Sequence, residues 1–151
     1  MILYCDSSAL VKLYIEEAGS NDVRAAANKA EAVTTCRISW AEIHAALARR
    51  AREVPADAPM IEEAKNALAT DWLRYVVVEL SQNVVERAGE YADTFAPRGY
   101  DSVQLAAAKV ASETAGLQFS FACFDARLNN AARVLGLEIV AAGLGPRPPT
   151  D

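Results

Sequence analysis

Apolar residues are spaced along this chain in two rhythms. Short, nearly continuous apolar runs bounded by polar residues occur at 2–5, 32–35, 75–79, 119–123 and 138–140. Runs of that length suit buried strands. Between them, apolar positions return every three or four residues, which predicts helices over 8–17, 22–29, 40–53, 61–74, 84–94, 102–115 and 126–134. Strands that alternate with helices pair in parallel and need cover on both faces. The predicted fold is therefore α/β and three-layered, with about seven helices. The stretch "REVPADAPM" breaks two helices that are expected to pack as a hairpin. The ending "GLGPRPPTD" has no periodicity, so the expected organisation is one domain over 1–142 and a flexible Gly/Pro-rich tail over 143–151.

The first apolar run, "MILYC", stops at Asp6-Ser7-Ser8 and resumes as "ALVKLY". Asp6 thus stands where a strand hands over to a helix, the position at which open α/β folds place their chemistry. Three more acids share that situation. Glu42 lies in "CRISWAEIHAAL", Asp101 in "RGYDSVQLAAAKV" and Asp125 in "FSFACFDARLNNAA". Each admits a purely structural explanation, because Asp is a favoured N-cap worth about 0.5–2 kcal/mol. Ser39-x-x-Glu42 reads as a capping box and Asp101-x-x-Gln104 approaches one. With 20 acidic residues in the chain, some fall at helix starts by chance.

The combination points further. In a parallel sheet the carboxyl ends of the strands share one edge, which brings Asp6, Asp101 and Asp125 toward a common point beside Glu42. Crowded carboxylates raise one another's pKa values, and a divalent cation relieves the repulsion. An oxygen-only ligand set suggests Mg²⁺ or Mn²⁺ over zinc. Such a cluster suits hydrolysis of a phosphodiester by metal-activated water.

Composition changes this picture at a few points. The 151 residues suffice for one domain with a sizeable core, and 52% hydrophobic with 23% charged residues is an ordinary globular balance. A net charge of −5 excludes a generally basic nucleic-acid-binding surface, so metal ions or local basic groups would have to meet a phosphate. The three cysteines, Cys5, Cys36 and Cys123, form no C-x-x-C, which argues for reduced thiols in a cytoplasm and for burial as small hydrophobes. No run approaches a membrane span and no signal peptide is expected. The lone histidine, His44, supports no nucleophilic triad and reads as a solvated helix residue.

Four motifs in order, "DSSALVKLY", "ISWAEIHAALAR", "RGYDSVQLAAA" and "FDARLNNAARVLGLEIV", resemble the PIN domains, specifically the VapC-type toxins of prokaryotic toxin–antitoxin pairs. The resemblance spans Met1 to about Ala141. It implies a five-stranded parallel sheet in order 3-2-1-4-5. It implies a Mg²⁺- or Mn²⁺-dependent endoribonuclease that hydrolyses RNA and is neutralised by a cognate VapB-like antitoxin. Homodimerisation through the N-terminal helical region is implied as well. By the same resemblance Asp6 and Asp101 are the principal metal ligands, Asp125 completes the first site, and Glu42 serves a second ion or positions the attacking water. Ser7 matches a supporting polar position. The family often has Thr or Ser where this chain has Cys123, a weak donor.

Outside the acids, Lys12 and Arg98 are the basic residues expected nearest the scissile region. Arg49, Arg50 and Arg52 sit late in a helix, where cations are favourable anyway. Trp40, Trp72, Tyr14 and Tyr91 read as core or partner contacts and not as base-stacking platforms. Two rival readings stand beside the nuclease. One is a catalytically weak PIN domain serving as an RNA- or protein-binding module. The other is a haloacid-dehalogenase-type phosphatase or a receiver domain, against which Ser8 stands where the phosphatase needs a second Asp.

Overall fold

A computed structural model describes residues 1–116 and 118–140. Five strands form one sheet: β1 (Ile2–Cys5), β2 (Ala32–Cys36), β3 (Val76–Val78), β4 (Phe119–Ala122) and β5 (Glu138–Ile139). Their order is β3-β2-β1-β4-β5, with every neighbouring pair parallel. This is the expected topology, with β1 at the centre. In register, Leu3 faces Val33 on one side and Ser120 on the other.

Seven α-helices connect the strands among the described residues: α1 (Ser7–Leu10), α2 (Ser20–Lys29), α3 (Ser39–Glu53), α4 (Ala58–Trp72), α5 (Gln82–Phe95), α6 (Gly99–Ala115) and α7 (Ala126–Val134). The period-2 alternation of β1 sorts the core into two layers. Leu3 and Cys5 pack with Leu10, Val23, Ile43, Leu47, Ile61 and Leu68, under α1 to α4. Tyr4 packs with Phe121, Val84, Leu105 and Leu128, under α5 to α7. The Tyr4 and Phe121 rings stack with centroids 5.8 Å apart. All three cysteines are free and buried, as read from their number. No helix among the described residues is long and apolar enough to cross a membrane. The predicted tail, 143–151, and the last residues of the predicted domain lie outside the described residues.

The main departure from the periodicity is the helix expected over 8–17. It is a single turn, α1, followed by a 3-10 turn over Val11–Leu13. Tertiary bonds compete with the helical ladder beyond that point. The Tyr14 hydroxyl donates to Asp71 at 3.0 Å and bonds Tyr75, Lys12 Nζ reaches Glu17 at 2.7 Å, and Ser20 Oγ donates to the Ile15 carbonyl at 3.1 Å. His44 also differs from expectation. Its ring lies 4.7 Å from that of Trp40, and its Nε2 is buried without a hydrogen-bond partner among the described residues.

Candidate active site

The carboxyl edge of the sheet receives the four acids from four different elements. Asp6 follows β1 directly and caps α1, its Oδ1 accepting from the Ala9 N–H at 2.9 Å and the Ser8 hydroxyl at 2.6 Å. Asp125 follows β4 and caps α7, accepting from the Leu128 N–H at 2.9 Å. The structural explanation therefore holds for these two. It does not hold for the others. α3 starts on Ser39 with no side-chain cap, and α6 starts behind Arg98 with none. The capping box read from Ser39-x-x-Glu42 is not formed, which leaves Glu42 and Asp101 in their first turns with carboxylates available for other work.

Glu42 is held by a buried polar network. Its Oε1 accepts from Ser7 Oγ at 2.7 Å and from Gln104 Nε2 at 2.8 Å. Gln104 Nε2 also lies 3.0 Å from Ser7 Oγ and 2.9 Å from Ser39 Oγ, and Gln104 Oε1 accepts from the Tyr4 hydroxyl at 2.6 Å. Thr35 Oγ1 is 2.8 Å from Ser39 Oγ and 2.9 Å from the Cys5 carbonyl. One amide on α6 thus ties β1 to α3. The spacing of Gln104 from Asp101 suggested only a local cap, and no local signal identifies a partner 62 residues away.

Burial and neighbouring acids raise two of the carboxylates, Asp6 and Asp101. Burial pushes the Asp6 carboxyl up to about 6, partly offset by hydrogen bonds from Ser8, Cys123 and the Ala9 N–H, while Asp101 pushes it further up. Asp101 is raised first by burial, then by Asp125 and Glu42, with Arg98 opposing. Asp101 is therefore the centre of the group.

Of the supporting residues predicted, Ser7 lies in the Glu42 network. Cys123 lies beside the acids, its Sγ accepting from the Asp125 N–H at 3.3 Å. Burial raises the thiol well above its usual range, so it stays protonated. Arg98 borders the acids. Lys12 is not brought to the open face: it is buried, paired with Glu17, and 4.4 Å over the Phe124 ring. Arg50 is likewise engaged, with Asp57 and Glu17. The ring of Phe124 presses on Gly19, where φ is +89° and a Cβ would stand 2.4 Å from Phe124 Cε1.

The donor set suits a hard divalent cation. It is oxygen-only, and among the described hydrogen bonds Asp101 accepts none while Glu42 and Asp125 each keep one oxygen free. Among the described residues no three His, Cys, Asp or Glu side chains already surround a common ion position. The fit therefore lies in charge and donor chemistry.

The chain is similar to known proteins. Residues 3–134 match the family profile described as PIN domain. Ribonuclease VapC45 of Mycobacterium tuberculosis (strain CDC 1551 / Oshkosh) is 33% identical over 145 residues, covering 96% of this chain and 99% of its own. Ribonuclease VapC49 of the H37Rv strain matches with the same identity and coverage, 33% over 145 residues. The crystal structure of M. tuberculosis VapC20, described as a sarcin-ricin loop cleaving toxin, superposes with a TM-score of 0.63. It covers 85% of this chain and 94% of its own at 22% identity, a likeness of fold.

Proposed function

Since this chain belongs to the PIN-domain family, among its VapC-type ribonuclease toxins, we propose that it is an endoribonuclease using Mg²⁺ or Mn²⁺ at the carboxyl edge of its sheet. The observation that carries this reading is the gathering of Asp6, Glu42, Asp101 and Asp125 at one edge of the sheet, where Asp101 raises Asp6 and is itself raised by Asp125 and Glu42. Asp6, Asp101 and Asp125 would hold the ion, and Glu42 would hold a second ion or position water. A divalent ion there supplies Lewis acidity toward the scissile phosphate and toward the attacking water.

The chain's own groups supply the rest. Glu42, fixed through Oε1 by Ser7 and Gln104, keeps Oε2 to orient the attacking water and take its proton. The uncapped N-terminus of α6 turns backbone N–H groups toward negative charge, which favours an incoming phosphate. In-line attack then leaves a 5′-phosphate and a 3′-hydroxyl. The partners in this reading are RNA, a VapB-like antitoxin and a second copy of the chain, all in a cytoplasm. The exposed Trp40, Leu73 and Leu80 supply apolar surface of the kind protein partners use. The binding-module alternative would draw on Cys123, whose Sγ accepts from the Asp125 N–H where a stronger hydroxyl donor could stand.

The test is cleavage of total cellular RNA by the purified, antitoxin-free protein in Mg²⁺, in Mn²⁺ and in EDTA, beside Asp6→Asn. Discrete fragments are expected that require metal and disappear in the variant. A folded protein that cuts no RNA with either metal would instead be a binding module.

A further inference from the structure

The sheet face under α5 to α7 is not fully covered. α6 packs on β2 and on α5, and a cleft of about 250 Å³ remains between the later turns of α6 and the strands β2 and β3. Its walls are Val76 and Val78 of β3, Val110 and Ala111 of α6, and Phe119 at the start of β4. Among the described residues no charged side chain lines it, and none of the four acids does.

Thr34 belongs to the same cleft and is 2% exposed. The register sets it between Tyr4 of β1 and Val76 of β3, on the sheet face that Tyr4 shares. A buried strand position of this kind suits Val, because a hydroxyl taken out of water without a partner costs free energy. The other threonine hydroxyls nearby are engaged. Thr35 bonds the Cys5 carbonyl and Ser39, and Thr114, at the rim, bonds the carbonyls of Val110 and Ala111. The Thr34 hydroxyl makes no hydrogen bond among the described residues. It is not sealed away like the unpartnered His44 Nε2 and Asn129 Oδ1, because it opens into the cleft.

Apolar walls around one placed polar group are the composition of a small-molecule site. The absence of charge selects a neutral ligand. An apolar cavity of about 150 Å³ takes benzene, so the volume here admits one ring with a substituent or two fused rings. A flat, rigid ring suits a slot between a sheet and a helix, loses little conformational freedom there, and meets the Phe119 ring. We propose that this cleft binds a small, neutral aromatic molecule of one or two rings whose single hydrogen-bonding group meets Thr34 Oγ1. Val76, 55% exposed on the edge strand, is apolar surface that the ligand covers. The site is independent of the nuclease reading, and a cleft without cations offers nothing to a phosphate.

Indole is the probe, and indene, of nearly the same shape but without the N–H, is its control. Each is titrated into the ¹⁵N-labelled protein and followed by amide NMR. Saturable shifts are expected at Thr34, Val76, Ala111 and Phe119, with the amides of Asp6 and Asp125 unmoved. Thr34→Val exchanges the hydroxyl for a methyl of similar volume and breaks no hydrogen bond seen among the described residues. It is expected to weaken indole about fivefold and to leave indene unchanged. Ala111→Leu extends a side chain into the cleft and should abolish binding of both; if that variant does not fold, the Thr34→Val comparison decides. Shifts that do not saturate, or that map to the cleft around Trp40 and Trp72, overturn the site. Indole bound equally by the parent and by Thr34→Val overturns the assignment of its polar group to Thr34.

Discussion

Asp6 carries two roles whose energetics oppose each other. As a cap it accepts from the Ala9 N–H and the Ser8 hydroxyl; as a charge it is buried, 4% exposed, with Asp101 close enough to raise it. The folded state holds the Asp6 proton more tightly than the unfolded chain, since its carboxyl rises from 3.8 to about 6. Stability from this group is fully present below pH 3.8 and is lost as pH rises through about 6, a difference of about 3 kcal/mol at 1.36 kcal/mol per pH unit. Asn caps as well as Asp and carries no charge. In EDTA, Asp6→Asn should therefore be more stable than the parent at pH 8, by up to about 3 kcal/mol, and no more stable at pH 4. Urea unfolding at the two pH values measures it; an equal difference at both would show that the buried charge contributes nothing. A carboxylate retained at such a cost fits a residue kept for its chemistry.

Two elements meet the site through contacts that a helical or strand period cannot express. α6 delivers Gln104 to Glu42, Ser7, Ser39 and Tyr4 at once. Gln104→Leu would leave the Tyr4 hydroxyl without its acceptor and Glu42 Oε1 held by Ser7 alone, at a cost of roughly 2–3 kcal/mol. Turnover should fall more than RNA affinity, because the loss is in the orientation of Glu42; a variant with parental kcat would remove Gln104 from the positioning of Glu42. The corner between α1 and α2 meets the segment before α7 through Gly19 and Phe124. Gly19→Ala would combine a left-handed backbone with a collision against the Phe124 ring, next to Asp125. A destabilisation of roughly 1–3 kcal/mol is expected by chemical denaturation, with reduced cleavage at temperatures where the variant is still folded.

At the scale of the molecule, the ion proposed for the four acids would make the folded state of this chain, whose net charge is −5, sensitive to divalent ions. An ion bound only by the folded protein stabilises it by about 2.7 kcal/mol at a concentration of 100 Kd. Thermal unfolding should therefore shift upward in Mg²⁺ or Mn²⁺, and the shift should vanish in Asp101→Asn. A shift of the same size in that variant would place the ion elsewhere.

The alternation of strand-length and helix-length apolar periods was enough, from sequence alone, for the α/β class, the positions of all five strands and six of the seven helices to within a few residues. Those features depend on near neighbours along the chain and on the burial of one face at a time. The positions of Asp6 and Asp125 after β1 and β4 were legible too, because a parallel sheet puts every strand end on one edge, whereas Asp101 stands on a helix that follows α5 and not a strand. What only the tertiary structure decided were the bonds between distant segments: the early end of α1, set by Tyr14, Lys12 and Ser20; the unmade cap at Ser39; the burial of Lys12 under Glu17 and over Phe124; and the Gln104 network. In each case a side chain chose a partner far along the chain over the local one its spacing suggested. That choice turns on distances between elements, which local periodicity does not encode.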